Sequence, residues 1–197
     1  MVKFLIYLKH HFTFLWSIIE WFNSIIFYLL YGRKLDKKLN VLLNDKSFKG
    51  FSFKRLKKDD MVKLESFFNN QPESAYTFFN PHKFDEKSLV EKSKDHSFIM
   101  IGLFDNNKII GYCFLRCFFN KKSFRGKIVD VNYQGKGIAK QMGILTTEIC
   151  QSMSFRLFAT ISKDNVKSIA SSKAVNDVRI VKELPDDYLY VEYLLKK

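Results

Sequence analysis

The residues of this chain best suited to chemistry are Gln134-Gly135-Lys136-Gly137-Ile138-Ala139. A β-type run, residues 124–131, leads into them and a helical run, 137–150, leads out. Glycines at 135 and 137 let the backbone turn tightly and approach a ligand closely. The first N–H groups of a helix have no intrahelical partner and lie at the positive end of its dipole. A pyrophosphate fits such a place, and Lys136 and Lys140 add charge. Two familiar phosphate loops are excluded. A P-loop separates its first glycine from a Gly-Lys-Ser/Thr by four residues, and that pattern is absent here. A dinucleotide fingerprint wants Gly or Ala at position 140, where Lys140 stands, and a parallel βαβ unit around it.

Two side chains are candidates to accept a proton. Asp130 ends the strand before the glycine loop, where a solvated carboxylate with no further role is the plainer expectation. His82 lies in Tyr76-Thr77-Phe78-Phe79-Asn80-Pro81-His82-Lys83-Phe84. Aromatics with Asn80 and His82 suit a sugar or amine pocket, and an exposed loop histidine is the alternative. His10, His11 and His96 have no partner in the sequence. Cys113 and Cys117 share one face of an apolar strand but sit roughly 13 Å apart, too far for a disulfide. No pair among Cys113, Cys117 and Cys150 has zinc spacing, so buried thiols in a reducing compartment and no metal are expected.

Gln134, Gly137 and Ala139 resemble the Q/R-x-x-G-x-G/A motif of the GNAT acetyltransferases. Asn165-Val166-Lys167-Ser168 is similar to the Asn-x-x-Ser/Ala that opens the helix after that family's fifth strand, and the spacing between the two motifs also fits. The resemblance covers residues 51–195. It implies acetyl-CoA as acyl donor and direct transfer to a small-molecule amine, without metal. The amides of Gly135, Lys136, Gly137, Ile138 and Ala139 would hold the pyrophosphate. The strand edge at Val129 and Val131 would pair with the pantetheine arm, with Asn165 and Ser168 along that arm or near its end. A backbone N–H at the strand end would polarise the thioester carbonyl. An amine acceptor must be neutral to attack, which gives Asp130 or His82 the role of base unless water relays the proton. The chain departs from the family at Ser172, where many members carry a tyrosine that protonates the leaving thiolate, and at Asn176-Asp177, where Gly-Phe is usual. Asn tolerates the left-handed turn, and water could protonate a thiolate.

The elements that must position these residues read β-α-α-β-β-β-α-β-α-β-β over residues 51–197. That order makes a mixed α/β fold, with a mostly antiparallel central sheet flanked by helices. The chain has 197 residues, of which 47% are hydrophobic and 21 are phenylalanine, enough for a sizeable core. Its net charge of +13 favours anionic partners, or simply a solubilising lysine-rich surface. No helix-turn-helix, zinc-finger or RNA-recognition signature accompanies that charge, so no nucleic acid is expected.

Residues 1–31 form a hydrophobic helix, 32–50 a basic connector and 51–197 the acyltransferase domain. His10, Thr13, Ser17, Glu20 and Ser24, spaced by three and four, make a narrow polar stripe opposite a wide apolar face. Trp16, Trp21, Tyr28 and Tyr31 suit a headgroup layer, and Lys3, Lys9, Arg33, Lys34, Lys37 and Lys38 flank the segment. Three arrangements are open: in the interface of an anionic membrane, spanning it, or packed on the protein or a twin subunit as a homodimer. No small-residue cleavage site follows, which argues against a removed signal. The expected place is the cytoplasm, at the inner face of the membrane. Three functions compete: an N-acetyltransferase, its acceptor an amino sugar of an envelope polysaccharide precursor; a catalytically degenerate acyl-CoA-binding module recruited to a membrane as an interaction protein; and a ribosome- or nucleic-acid-directed acetyltransferase, supported only by the charge.

Overall fold

A computed structural model describes residues 13–196, with the side chains of the first helix described from Ser17 on. Residues 1–12, with His10, His11, Lys3 and Lys9, lie outside the described residues. Helix α1 (Thr13–Phe27) runs through a π-helical turn (Tyr28–Gly32) into α2 (Arg33–Asn44). Leu35, Leu39 and Leu43 recur every four residues and are buried on one face of α2. The stretch 32–50, expected as a connector, is therefore mostly amphipathic helix. Its lysines are the solvent face, and their number hides the leucine period. Asp36 on α2 pairs with Arg55 at 2.5 Å, which ties the helix to the sheet.

Eight strands form one sheet: β1 (Ser47–Phe48), β2 (Phe51–Arg55), β3 (Phe98–Asp105), β4 (Lys108–Cys117), β5 (Lys122–Val129), β6 (Arg156–Ser162), β7 (Asn176–Leu184) and β8 (Tyr188–Leu195). Their order is β1-β2-β3-β4-β5-β6-β8-β7. Every neighbouring pair is antiparallel except β5 and β6. Those two pair only at Lys122↔Arg156, Ser123↔Leu157 and Phe124↔Phe158, although β5 continues to Val129 and β6 to Ser162. Beyond Phe124 the sheet opens into a wedge.

Helices α3 (Met61–Asn69) and α4 (Glu86–Ser93) cover one face, over a core of Leu64, Phe68, Leu89, Met100 and Tyr112. The Asp85 carboxylate caps α4 by accepting from Ser88 N at 2.9 Å. On the other face α2 and α5 (Ile138–Ser152) pack through Leu39, Met142, Leu145 and Ile149. Helix α6 (Val166–Lys173) follows β6. Cys113, Cys117 and Cys150 are free and buried in this second core.

The polar side of α1 faces the domain. Glu20 pairs with Arg116 at 2.6 Å, and Ser24 Oγ accepts from His96 N. Buried Asn23 donates to Ser97 Oγ and the Cys117 carbonyl, and accepts from Phe119 N. Trp21, Phe22, Ile26, Tyr28, Leu29 and Leu30 are turned outward, with Trp21 59% and Leu29 76% exposed. Among the described residues no helix is long and apolar enough to cross a membrane, which leaves the spanning arrangement without support.

Candidate functional site

The two sequence motifs lie at the carboxyl ends of the two parallel strands, one on each side of the wedge. After Val129 the chain makes a short 3₁₀ turn (Val131–Tyr133) and then the exposed glycine loop. Gly135 has φ 77° and Gly137 φ 85°, the left-handed region that glycine enters without penalty. The requirement is conformational, because a Cβ at Gly135 would meet nothing within 4 Å and one at Gly137 only Phe48 Cζ at 3.5 Å. Gly137 is the N-cap of α5 and no side chain caps this helix, so its first-turn amides are available to an anion. Lysines gather there. Lys136 Nζ stands 4.4 Å over the Tyr133 ring, and Lys49 Nζ reaches the Lys136 carbonyl at 3.4 Å. Ile138 anchors the helix start in the core and Ala139 is half-buried against it. Across the wedge, Asn165 Oδ1 caps α6 by accepting from Ser168 N at 3.0 Å.

Some expected roles meet competing contacts. Val129 is buried in the core, and the Val131 N–H donates to Gln71 Oε1 at 3.1 Å. Gln71, which the sequence did not single out, is itself buried and held by the Phe67 carbonyl. Asp130 is not a solvated strand end: it is 2% exposed, Oδ1 caps the 3₁₀ turn through Asn132 N, and Oδ2 lies 3.2 Å from Lys108 Nζ. It lines a cleft of about 470 Å³ with Lys63, Asn70, Gln71, Asn107 and Lys108.

His82 does not line that cleft. Its Nδ1 lies 2.7 Å from the Lys83 carbonyl, so that nitrogen carries the proton and Nε2 accepts from the Tyr112 hydroxyl at 3.0 Å. Burial lowers the imidazole pKa, partly opposed by the Lys83 hydrogen bond and helped by Lys92. Phe68, Phe84, Phe98 and Phe114 ring it. Tyr76, Phe79 and Phe84 pack inward onto the α3 core rather than standing open as a pocket, and only Phe78 is markedly exposed. Tyr76 and Phe84 lie 5.0 Å apart, centroid to centroid.

One buried cation and one half-buried cation went unnoticed in the sequence. Arg125 donates to the Gly143 carbonyl, Thr146, Thr147 and Asn176, and its guanidinium lies 3.6 Å from the Tyr193 ring centre. Lys127 Nζ donates to the Ala139 carbonyl at 2.8 Å and to Ser171 Oγ. Neither is ion-paired among the described residues. Burial, with Arg125 nearby, brings the Lys127 amine down to about 7, against a smaller opposing effect of Cys113. Alternating polarity in β5 was the available signal: Arg125 and Lys127 fall on the same face as Val129. Burial pushes the Cys113 and Cys117 thiols up to about 12 and Cys150 higher still, which makes them poor nucleophiles. Among the described residues no group of His, Cys, Asp and Glu could hold a metal ion.

The Acetyltransferase (GNAT) family matches residues 59–172. Comparison with curated proteins finds no match. Among solved structures the fold is similar to the GNAT domain of S. lividans PAT, with TM-score 0.63 and 14% identity over 73% of this chain and 89% of that one. It is similar to the ribosomal-protein-S5-alanine acetyltransferase from Vibrio fischeri, with TM-score 0.62 and 17% identity over 77% and 97%. A third is AAC(6')-Ib in complex with paromomycin and acetyl-CoA, with TM-score 0.59 and 12% identity over 75% and 94%. With an uncapped helix start behind two left-handed glycines, a wedge between its one parallel strand pair and a family match over more than half its length, this chain belongs to the GNAT acetyltransferase family.

Proposed function

We propose that the chain is an N-acetyltransferase that takes an acetyl group from acetyl-CoA and passes it directly to a small-molecule amine. The observation that carries this reading is the anion-ready start of α5 at the mouth of the wedge. The amides of residues 135–139 receive the pyrophosphate, with Lys136 and Lys49 adding charge beside them. The unpaired edge of β5 up to Val129 offers backbone groups to the pantetheine arm, and Asn165 and Ser168 close on it from α6. AAC(6')-Ib, a structural neighbour, holds both acetyl-CoA and an aminoglycoside, which favours an amine acceptor here. The cleft beside Asp130 is the entry we assign to that amine, with Asp130, which lines it, as base and His82, outside its lining, as the alternative.

The acceptor we favour is an amino sugar on an envelope polysaccharide precursor, reached from the cytoplasmic face of a membrane on which α1 lies. Support comes from the outward apolar side of α1 and from Arg33, Lys34, Lys37 and Lys38 just beyond it, which suit an anionic surface. Helix α1 is bonded to Cys117 at one end of β4, whereas Asp130 N is bonded to the Ile110 carbonyl near the other. At about 3.3 Å per residue the cleft stands roughly 20 Å from α1, a distance that an extended saccharide spans and a lipid headgroup does not. The second reading, a degenerate acyl-CoA-binding module, is favoured by Ser172 standing where the family's acid usually is. A screen of amines with acetyl-CoA, read by free thiol, separates the two. CoA bound in calorimetry with no amine ever acetylated would leave the binding module.

A further inference from the structure

Acyl transfer from a thioester leaves a sulfur anion that needs a proton, and Ser172 cannot supply it. It is buried and its hydroxyl is spent on Tyr193 OH at 3.2 Å. Its neighbour Ser171 holds something better suited. Lys127 stands on β5 beyond the last β5–β6 pair, on the stretch of strand that borders the wedge. Its amine reaches between the two helices that flank the wedge, donating to the Ala139 carbonyl in the first turn of α5 and to Ser171 on α6. A Cβ added at Gly143 on α5 would lie 3.5 Å from Nζ, so the amine is also packed against that helix.

We propose that Lys127 is the general acid of the transfer, its ammonium giving a proton to the departing sulfur of CoA in place of the tyrosine missing at position 172. The proposal rests on the wedge being the acyl-CoA site. The acceptor nitrogen forms a bond to the acyl carbon as the carbon–sulfur bond breaks, and the electron pair of that bond goes to sulfur. Lys127 passes one proton from Nζ to sulfur, leaving a thiol and a neutral amine. The acceptor nitrogen loses its extra proton to its own base or to water, and Lys127 is reprotonated from solvent.

Geometry puts the group between the right helices, and its surroundings give it the right strength. An ordinary lysine, near 10.4, would hold its proton against a thiolate whose acid has a pKa of about 8.5. An amine at about 7 gives it up downhill. The charged and titratable groups acting on Nζ are Arg125 on the same strand, which disfavours the charged form, and Cys113 across on β4, which mildly favours it. Among the described residues its hydrogen-bond partners on α5 and α6 are the neutral Ala139 carbonyl and Ser171.

The test uses the full chain with acetyl-CoA and hydroxylamine as a small neutral acceptor, in wild type, Lys127→Met and Lys127→Arg. Kinetic competition with fluorodinitrobenzene first reads the acidity of Lys127 in the free protein, with peptide mass spectrometry as readout. A midpoint near 7 is expected, and one near 10 overturns the proposal. CoA affinity, from calorimetry, should be within about threefold in all three proteins. If wild type fails to bind CoA, the site reading has failed rather than the role of Lys127. In both variants kcat should fall by about a hundredfold or more; wild type should lose kcat above pH 7, and that loss should be absent from both variants. The Arg variant keeps the charge and cannot release a proton, so full activity there, or an unchanged alkaline limb in Lys127→Met, overturns the proposal.

Discussion

Gly137, at φ 85° and ψ 4°, holds the start of α5 in the left-handed region. There a Cβ costs about 1–2 kcal/mol, and the nearest obstacle, Phe48 Cζ at 3.5 Å, makes only ordinary contact. Gly137→Ala therefore perturbs the turn by conformation alone. In a chain of this size that strain lowers Tm by roughly 2–8 °C, and the helix, anchored by Ile138 and Met142, persists. Ligand affinity should suffer more. A hydrogen bond from a backbone N–H to a charged phosphate is worth about 1.5–3 kcal/mol, so misdirecting one amide weakens CoA binding about 10- to 150-fold. Thermal denaturation and calorimetric titration of CoA on the same samples measure both quantities. Gly135→Ala, at φ 77° with open space around it, is the companion variant and should behave alike. A Tm drop of the stated size with CoA affinity unchanged would show that the turn has moved and the pyrophosphate does not depend on it, which would refute the assignment.

The half-buried Lys127 carries a stability signature of its own. Its folded pKa, about 7, lies below the unfolded 10.5, so the unfolded chain binds more protons between those values and stability rises with pH across that window. Below pH 7 the full cost is present, at most about 4–5 kcal/mol. Lys127→Met should then be more stable than wild type at pH 6 in urea titrations and lose most of that advantage by pH 10, and a pH-independent difference would count against it. His82 is also lowered, so folding loses stability as pH falls below 6.5. His82→Phe should flatten that acid limb, and an unaltered limb assigns it to other groups. Alanine at His82 or Asp130 should lower kcat with little effect on CoA affinity, and full activity in both and in the double variant from pH 6 to 9 moves the task to a water relay. Asp130→Ala also removes the cap of the 3₁₀ turn and should cost about 1 kcal/mol in stability. Vesicles of anionic lipid should carry the chain down on sedimentation, and Trp21→Ser with Leu29→Ser should release it. A chain that stays in solution as a dimer would instead make that face a subunit interface.

The sequence by itself determined the features that depend on a few consecutive residues. Gly135 and Gly137 announced a tight turn at a helix start, which the structure puts in the left-handed region, and Asn165-Val166-Lys167-Ser168 announced the opening of a second helix, which Asn165 caps. Each is a local matter of dihedral angle and nearby hydrogen bonds. Alternation and helical period likewise gave the strand and helix order from residue 51 on, and the polar stripe of α1. Helix α2 was legible in the spacing of Leu35, Leu39 and Leu43, and was obscured by its lysines. Tertiary structure decided everything that needs a distant partner. The stripe of α1 turns inward because Arg116, Ser97 and His96 wait for Glu20, Asn23 and Ser24. Asp130 is a buried cap rather than a free carboxylate because β4 delivers Lys108 to it. His82 has its pKa lowered because the fold buries it, and its Nε2 accepts from Tyr112, thirty residues on. Lys127 reads as one more surface lysine in a chain full of them. It becomes an amine of pKa about 7 only where two helices and Arg125 close around it, since desolvation is a property of the packed fold, and the alternation of β5 marks only the face on which Lys127 falls.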